Sequence, residues 1–138
     1  MKLIRKSTNE TVQLEDGFLW TDEFDWKPTE QKLERSISGE AIIQEGLKQS
    51  GRPISLEPAD QNTGWIKLRD LRMVRDWAVL HERYIIQFEQ QHDTRQFEVI
   101  FNHEAGALEA KPVLGIPAVS LDDYFNVTLR FLELNNAD

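Results

Sequence analysis

The sequence contains no cysteine, so the chain forms no disulfide and offers no thiolate ligand to a metal ion. It also contains no apolar run near the roughly 18 residues that a membrane-spanning helix needs, so we expect no membrane partner. Lys2, Arg5 and Lys6 are followed by no apolar core. We therefore expect no signal peptide, and a chain that folds in a cytoplasm.

Motifs of the common enzyme classes are missing as well. The chain has no Gly-rich phosphate loop and no Gly-x-Ser-x-Gly nucleophile elbow. No pair among His81, His92 and His103 has metal-ligand spacing, and no cysteine is present to complete a site. The sequence therefore predicts a protein that is not an enzyme and that has no metal site and no cofactor.

The composition is that of an ordinary globular protein with an acidic surface. The 138 residues predict one domain spanning residues 1–138, and 40% of them are hydrophobic. Aspartate and glutamate number 24 against 16 lysines and arginines, which gives a net charge of −8. Because such a charge repels the phosphate backbone, we expect no specific nucleic-acid binding.

Residues 1–31 are the least regular part of the chain and are predicted to form an N-terminal arm. A short strand pair is expected around the polar turn at residues 7–10. Residues 18–26 then contain four large aromatic rings. Either these rings anchor the arm over the core, or they form an interface patch. These rings belong to Phe18, Trp20, Phe24 and Trp26.

Residues 32–134 are predicted to form a β-rich core with one helix. Apolar and polar side chains alternate over residues 36–46, and Ile54 and Leu56 resume the alternation after a turn. This pattern predicts two paired strands around which the rest of the core is organised. Apolar residues at helical spacing predict a short α-helix at about residues 68–81.

The second half of the core is predicted to be mostly strands. Residues 84–88 and 97–101 are rich in β-branched and aromatic side chains, which indicates a hairpin. Residues 102–120 resemble a loop that contains an edge strand at 108–113, and the last strand is expected at 125–131. Together these elements predict an α+β fold, an antiparallel β-sandwich or split β-barrel with one short α-helix.

Several segments follow one another in a recognisable order: LWTDEFDW (19–26), SGEAIIQEG (38–46), GRPISL (51–56), WI (65–66), FEVIFNH (97–103) and RFLEL (130–134). This order resembles small tail proteins of bacteriophages and prophages, of the kind encoded near the tail tip. The similarity extends over most of the chain. The hairpin turn departs from it, since Asp93-Thr94 stands where Asp-Gly is expected, and we therefore expect a longer hairpin loop.

This resemblance implies a structural virion protein, similar to the distal tail proteins that join the tail tube to the baseplate. Such proteins carry a β-rich belt domain that assembles into a hexameric ring. The implied partners are other copies of the chain and the tail tube and baseplate hub proteins, and the implied location is the virion tail, with the host cytoplasm during assembly. Ring closure requires two different patches on each subunit. The candidate interface residues are Phe18, Trp20, Phe24, Trp26, Gly106, Leu108, Pro112 and Pro117.

Two other functions remain open at the level of the sequence. A small ligand-binding β-barrel would enclose a pocket with the inward faces of its strands. A carboxylate-dependent hydrolase would use two acidic residues at a set separation, and Asp22, Glu23 and Asp25 are the candidates.

Overall fold

The computed structural model describes residues 1–15, 17–26, 29–47 and 51–134. These residues contain eleven β-strands and one α-helix, and a 3-10 turn spans His103–Ala105. In chain order the elements are β1 (Lys2–Arg5), β2 (Thr11–Gln13), β3 (Phe18–Trp20), β4 (Thr29–Arg35), β5 (Ala41–Leu47), β6 (Pro53–Pro58), β7 (Trp65–Lys67), α1 (Leu68–Ala78), β8 (Tyr84–Gln87), β9 (Gln96–Phe101), β10 (Leu108–Pro112) and β11 (Tyr124–Glu133).

The predicted α+β class is confirmed. Nine of the described strands form one antiparallel sheet whose main path is β2-β1-β8-β9-β11-β6-β3, with β7 and β10 also paired to β11. One short helix accompanies this sheet. Among the described residues the strands do not close into a barrel.

Strand β11 is the centre of the sheet. It is ten residues long, so it extends for about 30 Å. β7 and then β6 pair along one edge of it, and β10 and then β9 pair along the other. Val127, Leu129 and Phe131 alternate along the strand and are completely buried, as their spacing predicts for a strand with one face on the core.

Helix α1 covers part of this core with one apolar face. The buried residues recur at the three- and four-residue spacing of a helical stripe: Leu71, Val74, Trp77 and Ala78. The Tyr84 hydroxyl donates a hydrogen bond of 2.6 Å to the Trp77 carbonyl oxygen. The helix ends at Ala78, three residues before the predicted end, and the chain turns there with the Leu80 amide donating to the Trp77 oxygen.

The main sheet curls so that its two ends contribute to one core. Trp20 lies on β3, at one end of the strand order, yet its ring stacks on Phe88 and meets Phe97 edge to face, with centroid distances of 5.9 and 5.3 Å. Leu3 on β1 and Leu56 on β6 belong to the same buried cluster. The β3 edge is therefore folded over β8 and β9.

The predicted central strand pair is wrong. Residues 36–40 form a turn, and β5 pairs with β4 in a separate two-stranded sheet, while β6 pairs with β11 and β3. Gly39 has a φ of +88°, a conformation that ends an extended segment and that glycine adopts without strain. Alternation along one strand reports its two faces but not its partner, which is why the pattern gave the wrong pairing.

The remaining strand predictions are confirmed. The turn at residues 7–10 joins β1 to β2, and β8 and β9 form the predicted hairpin with a long connection over residues 88–95. The predicted edge strand is β10, which pairs with β11. In the predicted N-terminal arm, β1, β2 and β3 are all strands of the main sheet, and residues 16, 27 and 28 lie outside the described part of the chain.

Candidate functional site

The eight predicted interface residues do not come together in one patch. Most of them contribute to packing: Phe18 is buried in β3, Trp20 packs against the core, Leu108 is partly buried against the core, and Trp26, Gly106 and Pro112 are half-buried. Phe24, 91% exposed, and Pro117 lie at the surface. Phe18 and Trp20 thus anchor the chain to the core, and the exposed apolar residues concentrate elsewhere.

The first concentration is a hairpin that projects from the main sheet, and we call residues 29–47 the projecting hairpin. None of the side chains from residue 31 to residue 45 is buried. Leu33 and Ile43 lie opposite each other in register, and they are 58% and 61% exposed. Because directly opposed residues share a face, these two side chains form an apolar pair that the described residues leave uncovered.

The tip of the projecting hairpin is an ordered turn. The Gly39 amide donates to the Ser36 carbonyl oxygen, and the Ser36 amide donates to the Glu40 carbonyl oxygen, both at 2.9 Å. The Ser36 hydroxyl also accepts a hydrogen bond of 3.1 Å from the Glu40 amide. These bonds fix a three-residue loop with glycine in the left-handed position. The loop holds Ile37 fully exposed at the tip.

A cluster of rings and guanidinium groups lies where this hairpin joins the main sheet. The Arg52 guanidinium lies 4.9 Å from the Trp20 ring centroid and 5.1 Å from that of Phe97, and its Nε donates to Glu133 at 2.6 Å. The Arg95 guanidinium lies over the same two rings. The guanidinium of Arg95 also lowers the pKa of Asp93 to about 2 by donating hydrogen bonds to it. Arg52, which follows the hairpin, is therefore firmly held on the main sheet.

The second concentration is the segment from Val113 to Asp123, which we call the apolar loop. Leu114 and Val119 are 74% and 90% exposed, and Ile116 is also exposed. A cavity of about 30 Å³ lies beneath these side chains. It has room for water but not for an organic ligand, since ligand pockets are typically on the order of 300 Å³ or more.

Hydrogen bonds hold the apolar loop in place. The Asp123 carboxylate accepts from the Val119 and Ser120 amides at 2.8 and 3.2 Å. The amides of Leu68 and Arg69, in the first turn of α1, donate to carbonyl oxygens of the loop at 2.9 and 3.0 Å. The loop thus satisfies donors that a helix N-terminus leaves free, and no side chain caps that helix. Its exposed apolar residues belong to an ordered surface.

The two surfaces lie at opposite ends of β11. The Gly51 amide, just after the hairpin, donates to the Glu133 carbonyl oxygen at the end of β11. The Val113 amide, at the start of the apolar loop, donates to the Tyr124 carbonyl oxygen at the beginning of β11. Gly51, which follows the hairpin, and Val113, which begins the loop, are therefore separated by about 30 Å, the length of the strand.

Two of the three carboxylates considered for hydrolysis are bound by protein groups. Asp22 accepts hydrogen bonds from the Ser55 amide and hydroxyl at 2.9 and 2.8 Å, and Glu23 pairs with Arg95 at 2.7 Å. Asp25 is exposed. Within the described ranges, no group of three or more His, Asp or Glu side chains is placed to hold a metal ion, and no helix is long and apolar enough to cross a membrane.

Sequence patterns identified one of the two surfaces only in part. Pro117 of the predicted interface lies in the apolar loop, but Leu114 and Val119 were not among the predicted residues. The projecting hairpin was missed because β4 reads as a polar, charged segment (TEQKLER), in which one exposed leucine gives no strand signal. A signal was nevertheless present: Ser-Gly at positions 38 and 39, with apolar residues on the following strand, is typical of a hairpin turn.

The chain was compared with protein-family models, with curated proteins and with solved structures, and it matches none of them. The two surfaces are therefore interpreted from their own chemistry. What they share is exposed apolar area on hydrogen-bonded backbone, which is typical of a surface that binds another protein.

Proposed function

We propose that this protein is a structural subunit of a phage tail, a ring-forming protein of the distal-tail or tail-tip kind. In this role copies of the chain form a ring in the virion tail, assembled in the host cytoplasm, that joins the tail tube to the baseplate hub. The observation that carries the proposal is the presence of two different exposed apolar surfaces at opposite ends of β11. The resemblance of the sequence to phage tail proteins supplies the biological setting.

Two unlike surfaces favour a head-to-tail assembly. A twofold dimer uses the same patch on both subunits, whereas a cyclic ring pairs one patch with a different patch on the neighbour. A separation of about 30 Å lets one subunit contact two neighbours at once. The projecting hairpin supports this interpretation, because an isolated two-stranded hairpin has little stability in water and gains it from a partner.

The electrostatic character of the chain also suits a tail ring. The net charge of −8 keeps phosphate backbones away from an acidic surface. A ring with an acidic lumen would let DNA pass without binding it tightly. The alternatives have less support, because the described strands form no closed barrel and the carboxylates of Asp22 and Glu23 are bound to Ser55 and Arg95.

Size-exclusion chromatography with light scattering over a concentration series tests the proposal. We expect a mass of about six subunits at high protein concentration, and negative-stain images of that fraction should show closed rings. The matched control is the double variant Leu33→Gln and Ile43→Gln, which removes the apolar pair of the hairpin and should shift the mass toward the monomer. A wild-type chain that stays monomeric at every concentration would contradict the self-assembling ring.

A further inference from the structure

We propose that the projecting hairpin of one copy docks on the apolar loop and the adjoining face of α1 of a second copy. This inference rests on the proposed ring function and names the two surfaces that meet. The first evidence is that each surface carries apolar side chains that its own chain leaves exposed. The hairpin carries exposed Leu33, Ile37 and Ile43, and the loop carries exposed Leu114 and Val119.

The hairpin presents an acidic surface to its partner. Its sequence has four glutamates (residues 30, 34, 40 and 45) against Lys32 and Arg35, which gives a formal charge of −2. The Lys32 Nζ forms an ion pair with the Glu34 carboxylate at an N–O distance of 2.8 Å. The Glu40 carboxylate, at the exposed tip, makes no ion pair within the described residues. The tip therefore combines an apolar side chain with a carboxylate that has no ion-pair partner there, although the Arg35 guanidinium lies at the same turn and donates to the Gly39 carbonyl oxygen at 3.3 Å.

The segment that contains α1 and borders the apolar loop has the opposite charge, although the loop itself carries Asp122 and Asp123. Residues 67–78 contain four cationic side chains (Lys67, Arg69, Arg72 and Arg75) and two aspartates, which gives a formal charge of +2 in an otherwise acidic protein. Arg69 contacts Asp122 of the loop at 3.4 Å, so this side of the helix borders the loop. Arg72 follows three residues later and lies on the neighbouring turn of the same side.

Two of these arginines are left for a partner. Arg72 and Arg75 are exposed, and neither makes an ion pair to a carboxylate in the described part of the chain. The apolar loop, with its exposed apolar side chains and these arginines beside it, is therefore complementary to the hairpin tip, which carries Ile37 and Glu40. Such charge complementarity determines which surface is chosen more than how tightly it is held.

The two surfaces do not cover each other within one chain, so we assign the contact to two copies. Each strand of the hairpin has seven residues and extends for roughly 20 Å, while Gly51, which follows the hairpin, lies about 30 Å from the start of the loop. Within one chain both surfaces stay exposed. A hairpin that reaches the loop of a neighbour buries both and repeats the same contact around a ring.

Disulfide cross-linking tests this contact cleanly, because the chain has no cysteine of its own. The Ile37→Cys chain is mixed with a size-tagged Val119→Cys chain under mild oxidation, and linked dimers are separated by mass. The control mixture pairs Ile37→Cys with Thr8→Cys, an exposed position in the turn between β1 and β2. We expect on the order of tenfold more mixed dimer in the first mixture, because docking raises the effective thiol concentration.

Charge reversal gives a second readout that does not depend on thiols. Arg72→Glu should shift the light-scattering mass toward the monomer, and adding Glu40→Arg to that variant should restore part of the association. If Ile37→Cys chains link mainly to each other, the contact is hairpin to hairpin and the inference is wrong. An oligomer without excess mixed dimer would overturn the inference but leave the ring function intact, whereas a monomer without cross-links would overturn both.

Discussion

The main sheet and the projecting hairpin are both built from antiparallel strands, but the main sheet buries its apolar side chains and the hairpin leaves them exposed. In the main sheet, Ile86, Leu129 and Phe131 are completely buried. In the hairpin, Leu33 and Ile43 are more than half exposed although they face each other in register. Buried residues of the main sheet therefore stabilise the folded chain, whereas the exposed residues of the hairpin are available to a second molecule.

The largest difference between the two regions is expected for truncation of their apolar side chains. Phe131→Ala removes a buried ring that packs 4.9 Å from Phe101, so it should lower the free energy of unfolding by about 3–5 kcal/mol. Leu33→Ala should change that free energy by no more than about 0.5 kcal/mol in dilute solution. Urea denaturation of both variants measures the contrast, and equal losses would abolish the distinction.

Replacing a glycine of positive φ by alanine should also lower the unfolding free energy more in the main sheet region than in the hairpin. Gly64 has a φ of +68°, and a Cβ placed there would lie 2.8 Å from the Cβ of Pro58, so Gly64→Ala combines backbone strain with a clash. We expect a loss of about 2–3 kcal/mol in unfolding free energy. Gly39→Ala, in the hairpin turn, meets open space and should cost about 1 kcal/mol or less. Thermal unfolding of the two variants compares them.

Tyr84→Phe tests the bond between α1 and the main sheet. The buried hydroxyl donates to the Trp77 carbonyl oxygen, which also accepts from the Leu80 amide, so its removal takes away one hydrogen bond without leaving the oxygen unpaired. The expected loss in unfolding free energy is about 1 kcal/mol. Tyr124→Phe is the matched control, because Tyr124 is 41% exposed, and it should have almost no effect on urea denaturation. Similar effects of both changes would show that the helix contact is unimportant for stability.

The smallest expected effect is a change in how the unfolding free energy depends on pH. The pKa of Asp93 is about 2 in the folded chain, below its usual value of 3.8, because Arg95 donates hydrogen bonds to the carboxylate. A lowered folded pKa gives stability that is complete above about pH 4 and is lost as the pH falls toward 2. Asp93→Asn should therefore flatten the acid dependence of stability in this range. If the unfolding free energies of Asp93→Asn and the wild type fall in parallel as the pH is lowered from 4 to 2, this role of Asp93 is refuted.

The sequence predicts the main sheet well because burial imposes a period on it. Strand β11 follows from alternating apolar residues, and α1 follows from their helical spacing, although its end at Ala78 does not, since Val79 and Leu80 continue the apolar pattern but are exposed. Phe18 and Trp20 were recognised as possible anchors from ring size alone. These predictions succeed where the partner of a residue is the common core.

The projecting hairpin could not be predicted in the same way because its apolar side chains are not buried against the core. Leu33 is the one apolar residue of β4, and Ile42 and Ile43 occupy opposite faces of β5, so neither strand has the period of a half-buried sheet. The apolar loop has no period at all. Its exposed side chains became visible only when the positions of Asp123 and the first turn of α1 were known.

Hydrogen exchange measured by mass spectrometry at low and high protein concentration tests the central distinction most directly. In dilute solution we expect fast exchange of amides in residues 29–47 and slow exchange in residues 124–133, because only the latter pair within the main sheet. Raising the concentration should slow exchange in the hairpin and in residues 113–121 and leave β11 unchanged. Equal protection of hairpin and β11 in dilute solution, or a hairpin whose exchange is independent of concentration, would contradict its role as an assembly surface.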